Sequence, residues 1–431
     1  MFKHVAAIAI IYIGVTAAWV VLGSSVLVRT ENAGEQLHGE VADLWGTPQA
    51  QVSPELTFKW PVTKTVEEQV KDTETGKTHI VTQVREVWEE RPVILDRSEI
   101  AVDLDLEQRK KGLLWYATYR VNFDGKYSYT HEDEREGVLE IVYSFPALEA
   151  SYDDFRFEVD GKLDPKLTPE TVNGARIVRE RIPVRQGATV PFVVGYESRG
   201  LDTWSYAFGS GVSRVKDFSL VMDTDFDAID FPRGAISPDS KERTPEGWRL
   251  EWASSNLISG FQIGMEMPHR LNPGPLAARI SYFAPVCLGF FFAWMFTITL
   301  LRGIRLHPVN YLFLAAAFFA FHLLFCYTAD HIDVFAAFAL SSGVSVFLVV
   351  SYLRLVVGLR FAAFEAGVSQ LIYLVLFSYA HFLEGFTGLI VTVGSILTLF
   401  ALMQLTGRFD WSERFARLGR SFKAPSAATS A

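Results

Sequence analysis

Six apolar stretches, each about 20 residues long, dominate what this chain can fold into: one at Val5 to Val28 and five between residues 279 and 405. Each is long enough to cross a bilayer as a helix. Between the first and second lie about 250 residues of charged, turn-rich sequence. The expected fold class is therefore a multi-pass α-helical membrane protein with six transmembrane helices, one N-terminal and five C-terminal, carrying a large all-β, sandwich-like domain in water.

The short loops orient the bundle. Arg302 and Arg305 follow the second stretch, Arg354 and Arg360 the fourth, and Arg408, Arg414, Arg417, Arg420 and Lys423 the sixth, whereas Thr328 to Asp333 and Ala380 to Gly385 contain neither Lys nor Arg. Loops rich in Lys and Arg stay cytoplasmic, so both termini are expected inside and the large domain outside. Lys3 agrees. Gly23, Ser24 and Ser25 would suit cleavage of a signal peptide, but the apolar run is too long for a signal core and no Ala-x-Ala site closes it. An uncleaved anchor is expected.

The resulting domain plan is residues 1–28 for the cytoplasmic start and anchor, 29–52 for a juxtamembrane amphipathic helix and linker, and 53–270 for the β-rich domain, with a division into two subdomains near 125 left open. Residues 271–278 form a Pro-rich connector, 279–406 the five-helix bundle, and 407–431 a basic cytoplasmic tail. Cys287 and Cys326 are the two cysteines and both fall in apolar stretches, so the β-domain holds no disulfide. The net charge of −9 divides into an acidic domain and basic membrane-proximal loops, which points to the lipid bilayer as partner and away from nucleic acid.

Leu37, Val41, Leu44 and Trp45 recur at helical spacing and predict a helix over 32–45. Beyond Gly46 the period becomes two. Ile80, Thr82, Val84 and Trp88 line one face of a strand, preceded by a hairpin turn at Glu74 to Lys77. Leu113 to Phe123 alternates most strongly, with Asp124-Gly125 read as a turn after it. Further strands are expected at Val138–Tyr143, Phe155–Val159, Val190–Tyr196, Phe218–Met222, Trp248–Trp252 and Phe261–Met265.

Polar residues gather at the outer end of the bundle: His322, Cys326, Asp330, His331, His381 and Glu384. His, Cys and carboxylate are zinc ligands, but these lack tight ligand spacing. The expectation is solvated loop groups, with His322 making an interhelical hydrogen bond. Glu365 is expected to pair with Arg354 or Arg360 near the inner surface. Ala337, Ser341 and Ser345 form a small-residue stripe suited to packing in the bundle or to a homo-oligomer. In the tail, Trp411, Phe415, Leu418 and Phe422 repeat at helical spacing beside Arg414, Arg417, Arg420 and Lys423, a pattern for a helix on an anionic leaflet. The clusters His131 to Glu134 and Asp153-Asp154 read as solvated turns. Phosphate-loop, zinc-protease, Cys-x-x-Cys and nucleophile-elbow signatures are missing, so no catalytic residue, cofactor or metal is expected.

The order of spans and domain, together with His307-Pro308-Val309-Asn310-Tyr311, Asp330-His331-Ile332, Leu383-Glu384 and Arg408-Phe409-Asp410-Trp411, resembles the CreD family of bacterial inner-membrane proteins. In the large domain the resemblance rests on Trp45-Gly46 and on Arg109-Lys110-Lys111-Gly112 leading into the Trp115 strand. This sequence differs from the family pattern in Asn310, Asp330 and Gly385. The resemblance implies a periplasmic domain on a bacterial inner membrane and a non-enzymatic role in cell-envelope integrity, with an envelope component as unidentified partner. A transporter or lipid-handling component is the alternative, and a metal-dependent membrane enzyme the third reading.

Overall fold

The computed structural model describes residues 2–71, 78–163, 167–209, 213–383 and 385–407. The chain divides into two compact units, one of residues 1–36 with 271–431 and the other of Leu37–Arg270. Helix α1 runs Phe2–Trp45 as a single element, where the sequence reading has a span and a separate helix. No Pro or Gly pair interrupts it, and helical propensity carries through the charged stretch between the two apolar segments. It stops at Gly46, whose φ of +108° favours glycine and whose Cβ, if present, would lie 2.1 Å from the Arg199 carbonyl oxygen.

The Leu37–Arg270 unit is all β beyond Gly46. Its described strands are β1 Gln49–Val52, β2 Glu55–Lys71, β3 Thr78–Val93, β4 Arg97–Lys111, β5 Leu114–Thr130, β6 Gly137–Ser144, β7 Tyr152–Val159 and β8 Lys162–Leu163, followed by β9 Glu170–Val172, β10 Ala175–Val184, β11 Thr189–Leu201, β12 Thr203–Ala207, β13 Ser213–Thr224, β14 Ser240–Arg243, β15 Trp248–Ser259 and β16 Gln262–Glu266. They form an eight-stranded sheet in the order β14-β15-β13-β4-β5-β11-β7-β8, a five-stranded sheet β3-β2-β6-β10-β9 and a three-stranded sheet β1-β12-β16. Pairing is antiparallel except between β13 and β4 and between β1 and β12.

Alternation builds the core. Ala117, Tyr119, Val121 and Phe123 of β5 face inward with Phe58, Leu139, Ile141, Val194, Leu220 and Leu250, all nearly inaccessible to solvent. Each buried aliphatic or aromatic side chain contributes about 1.5–3 kcal/mol. The other face of β5 buries Leu114 and Tyr116 with Val41 and Leu201, beside Leu37 and Trp45.

Three expectations are corrected here. Asp124-Gly125 is no turn: Gly125 pairs with Ile100 on one side and Val194 on the other, and its missing side chain admits the Tyr127 ring. A division near 125 does not occur either, because β5 crosses that point and one core draws side chains from both sides of it. Asp153 and Asp154 lie in β7, where Glu197 pairs with Asp153 and Gly195 with Arg156, so the extra residue makes a β-bulge. The Glu74 to Lys77 turn falls largely outside the described residues, although β2 and β3 pair antiparallel on either side of it.

In the other unit, six helices among the described residues are long and apolar enough to cross a bilayer: the α1 helix, α2 Pro273–Arg302, α3 Pro308–Thr328, α4 Val334–Val356, a fifth span Phe361–Phe382 and a sixth span Thr387–Thr406. Local signals set their ends. The His307 ring accepts from the Val309 amide with Pro308 at the first turn of α3, and Asp333 accepts from the amides of Phe335 and Ala336 at 3.0 Å each to start α4. The fifth span contains π-helical turns at Phe361–Gly367 and Leu371–Leu376. Between them Gln370, fully buried, donates to Ser345 Oγ at 2.7 Å. Leu288, Phe291, Leu314, Phe318, Phe321 and Phe325 fill the bundle interior.

Candidate functional site

The polar residues at the α3–α4 turn do not assemble into one centre. Asp330, only 6% exposed at its side chain, accepts from Arg29 at 2.6 Å, and the Arg29 guanidinium also lies 5.8 Å from the Tyr327 ring centre. Cys326 contacts Ser281 Oγ at 3.6 Å. His322 is fully buried, but its partner is the Phe318 carbonyl on its own helix, 2.9 Å from Nδ1. This corrects the expected interhelical bond. A carbonyl only accepts, so Nδ1 carries the proton and Nε2 is left as an acceptor. That nitrogen and Trp19 Nε1 are both buried without a partner among the described residues, and the two rings meet edge to face at 5.3 Å. His331 is exposed, His381 packs on Phe283 at 5.0 Å, and Glu384 lies outside the described residues. Among the described residues no group of three or more His, Cys, Asp or Glu is arranged to hold a metal ion.

At the C-terminal end of α2, Arg302 donates to Glu365 of the fifth span at 2.7 Å. The expected partners Arg354 and Arg360 are displaced, because the C-terminal turn of α2 reaches the level of the first turns of the fifth span. The second oxygen, Glu365 Oε2, is buried and has no partner among the described residues. The stripe of Ala337, Ser341 and Ser345 is fully buried, and Ser345 Oγ donates to the Ala317 carbonyl of α3 at 2.6 Å. The expected amphipathic tail, from Trp411 to Lys423, lies outside the described residues.

In the β-domain two distant segments meet. The Arg109 guanidinium lies 3.5 Å from the Trp45 ring centre, with Arg199 at 5.9 Å. Lys111 pairs with Glu40 at 2.8 Å, and Gly112, at φ +60°, leaves room for Leu37. Nearby, Asp202 accepts from His38 at 2.7 Å and has His269 Nε2 at 4.0 Å. Sequence reasoning missed Arg29, His38, Asp202 and His269, and no local pattern marks them, since each partner is more than 60 residues away in the chain.

The acidic clusters are structural as well. His131 is not solvated: it is fully buried, with Nδ1 3.2 Å from Tyr129 Oη and Nε2 2.8 Å from the Arg135 carbonyl. Asp133 pairs with Arg135 at 2.7 Å and Arg91 at 3.2 Å, and the Arg135 hydrogen bonds hold its carboxyl well below the usual range. Glu140, 8% exposed, binds Lys59 at 2.9 Å and Arg181 at 2.7 Å. Burial pushes its carboxyl up, yet the hydrogen bonds from Lys59 and Arg181 outweigh burial and hold it below its ordinary value. Burial first, and then Asp223, raises the carboxyl of Asp103.

These features define a class: a multi-pass membrane protein whose sequence motifs serve helix starts and ion pairs, with a large all-β domain. The family described as "Inner membrane protein CreD" matches residues 222–412, from the middle of the β-domain's eight-stranded sheet through the last span. This bears out the resemblance to the CreD family over those residues. No curated protein matches it. Solved structures similar to parts of it include a candidate nutrient-binding protein from Legionella pneumophila, 9% identical with a TM-score of 0.30 over 47% of this chain and 74% of that one. Another is the M1 zinc metallopeptidase from Deinococcus radiodurans, 10% identical with a TM-score of 0.23 over 76% of this chain and 91% of that one. Likenesses this low carry no argument about either fold or activity.

Proposed function

We propose that this is a non-enzymatic inner-membrane protein that supports cell-envelope integrity through a periplasmic β-domain that binds or senses an envelope component. The observation that carries the reading is the β2–β3 ribbon. β2 pairs with β6 only from Glu55 to Lys59, whereas its pairing with β3 continues from Leu56 to Lys71. Past Lys59, β3 is therefore its sole strand neighbour among the described residues. On this arm Trp88 is 54% and Val84 69% exposed, on the face they share with Pro61 and Thr65. Large apolar groups held in water on a projecting ribbon are what a partner surface requires.

The transport reading has less support, because the bundle interior closes on Phe291, Phe318, Phe321 and Phe325, each 0% exposed. The test is a photo-crosslinking residue at Trp88 or Val84 in intact cells, with Leu148, also exposed, as control. A discrete adduct from the ribbon positions alone is expected. Equal adducts from Leu148, or none from the ribbon, would overturn the reading.

A further inference from the structure

A cleft of about 550 Å³ opens on the flank of the bundle between α2, the fifth span and the sixth span. Trp294, Ile298 and Leu301 form one wall, and Phe400, Ala401 and Leu405 the other. Arg302 and Glu365 stand at one end. At 1.5 Å per helical residue, Trp294 lies roughly 12 Å deeper along α2 than Arg302. The cleft is thus apolar along its length and charged at its head, which is the pattern of one lipid molecule seen end to end.

The head carries two complementary groups. The Arg302 side chain is 63% exposed while it donates to one Glu365 oxygen, so most of its donors remain available. Glu365 Oε2 is a buried acceptor with no donor among the described residues, and such an atom is costly in an apolar site. A phosphate satisfies the first group and a primary ammonium the second. We propose that this cleft is a binding site for an aminophospholipid, phosphatidylethanolamine in chemistry, with its phosphate on Arg302, its ammonium on Glu365 Oε2 and an acyl chain between Trp294 and Phe400. Arg binds phosphate through its fork of donors. The site is independent of what the β-domain binds.

The test is native mass spectrometry of the full-length protein, stripped of lipid in detergent and then offered phosphatidylethanolamine or phosphatidylglycerol with matched acyl chains. One phosphatidylethanolamine is expected to stay bound, with about tenfold preference over phosphatidylglycerol, the size of one charge-assisted hydrogen bond. Glu365→Gln is expected to abolish the preference, and Ala401→Phe, which narrows the cleft from the sixth span, to weaken retention of both lipids. Circular dichroism and melting of each variant separate loss of binding from loss of fold. Equal retention of the two lipids by the native protein, or an undiminished preference in a folded Glu365→Gln variant, overturns the proposal.

Discussion

Arg109 stacks its guanidinium over the indole of Trp45, 3.5 Å from the ring centre. The two residues belong to the segments Trp45-Gly46 and Arg109-Lys110-Lys111-Gly112. Their shared role is a joint: the end of α1 is clamped to the β4–β5 hairpin by this stacking, by Lys111 on Glu40 and by the close backbone approach at Gly46.

Gly46→Ala should be the most damaging single change at that joint. It places a Cβ against the Arg199 carbonyl at a positive φ, and a loss of about 3 kcal/mol is expected. Arg109→Gln, which removes the stacking and the half-exposed 2.7 Å ion pair with Glu107, should cost about 1 kcal/mol. Thermal unfolding of the detergent-solubilised protein, followed by tryptophan fluorescence, measures both. A Gly46→Ala protein as stable as wild type would remove the close approach from the account.

The Arg29–Asp330 pair should show strong coupling. Asp330 is the buried partner and Arg29 the half-exposed one, so Arg29→Gln leaves an uncompensated carboxylate and should cost about 3 kcal/mol. Asp330→Asn leaves a cation that reaches water and should cost less. In the double variant the losses should not add. Additive losses in a double-mutant cycle would show that the pair contributes nothing beyond its separate residues.

Glu140 gives the β-domain an acid limit. Its folded carboxyl sits below its ordinary value, so its contribution is complete above the usual carboxylate range and disappears as pH falls through the folded value. Glu140→Gln should cost about 2 kcal/mol at neutral pH through the lost bonds to Lys59 and Arg181. Melting curves of the two proteins should converge on acidification. A difference that stays constant from neutral pH into the acid range would contradict the assignment.

The proposed orientation rests on the Arg-free and Arg-bearing loops. In a background lacking Cys287 and Cys326, Ile332→Cys and Leu383→Cys should react with an impermeant thiol reagent added outside the cell. Leu359→Cys should react only after permeabilisation. All three positions are exposed, so access to the reagent depends on the side of the membrane. External labelling at Leu359→Cys would reverse the proposed topology.

Much of the fold was legible because its signals are local. The strands expected at Val138–Tyr143, Val190–Tyr196, Phe218–Met222 and Trp248–Trp252 all fall within observed strands, since alternation with an inward face is visible in any eight-residue window. Asp124-Gly125 misled because a glycine serves equally in a turn and beneath an aromatic ring. Only the neighbours β4 and β11, distant in sequence, show which.

The sequence by itself determined that six segments suit a bilayer and that a β-domain separates the first from the rest, because a continuous apolar run and a two-residue period are properties of contiguous chain. Tertiary structure alone decided which charges meet: Arg29 with Asp330, Arg302 with Glu365, and Asp202 with His38. Each pair joins residues separated by tens to hundreds of positions. An isolated charge is costly in a low-dielectric surrounding wherever it lies in the chain, and only packing determines which opposite charge comes close enough to relieve that cost.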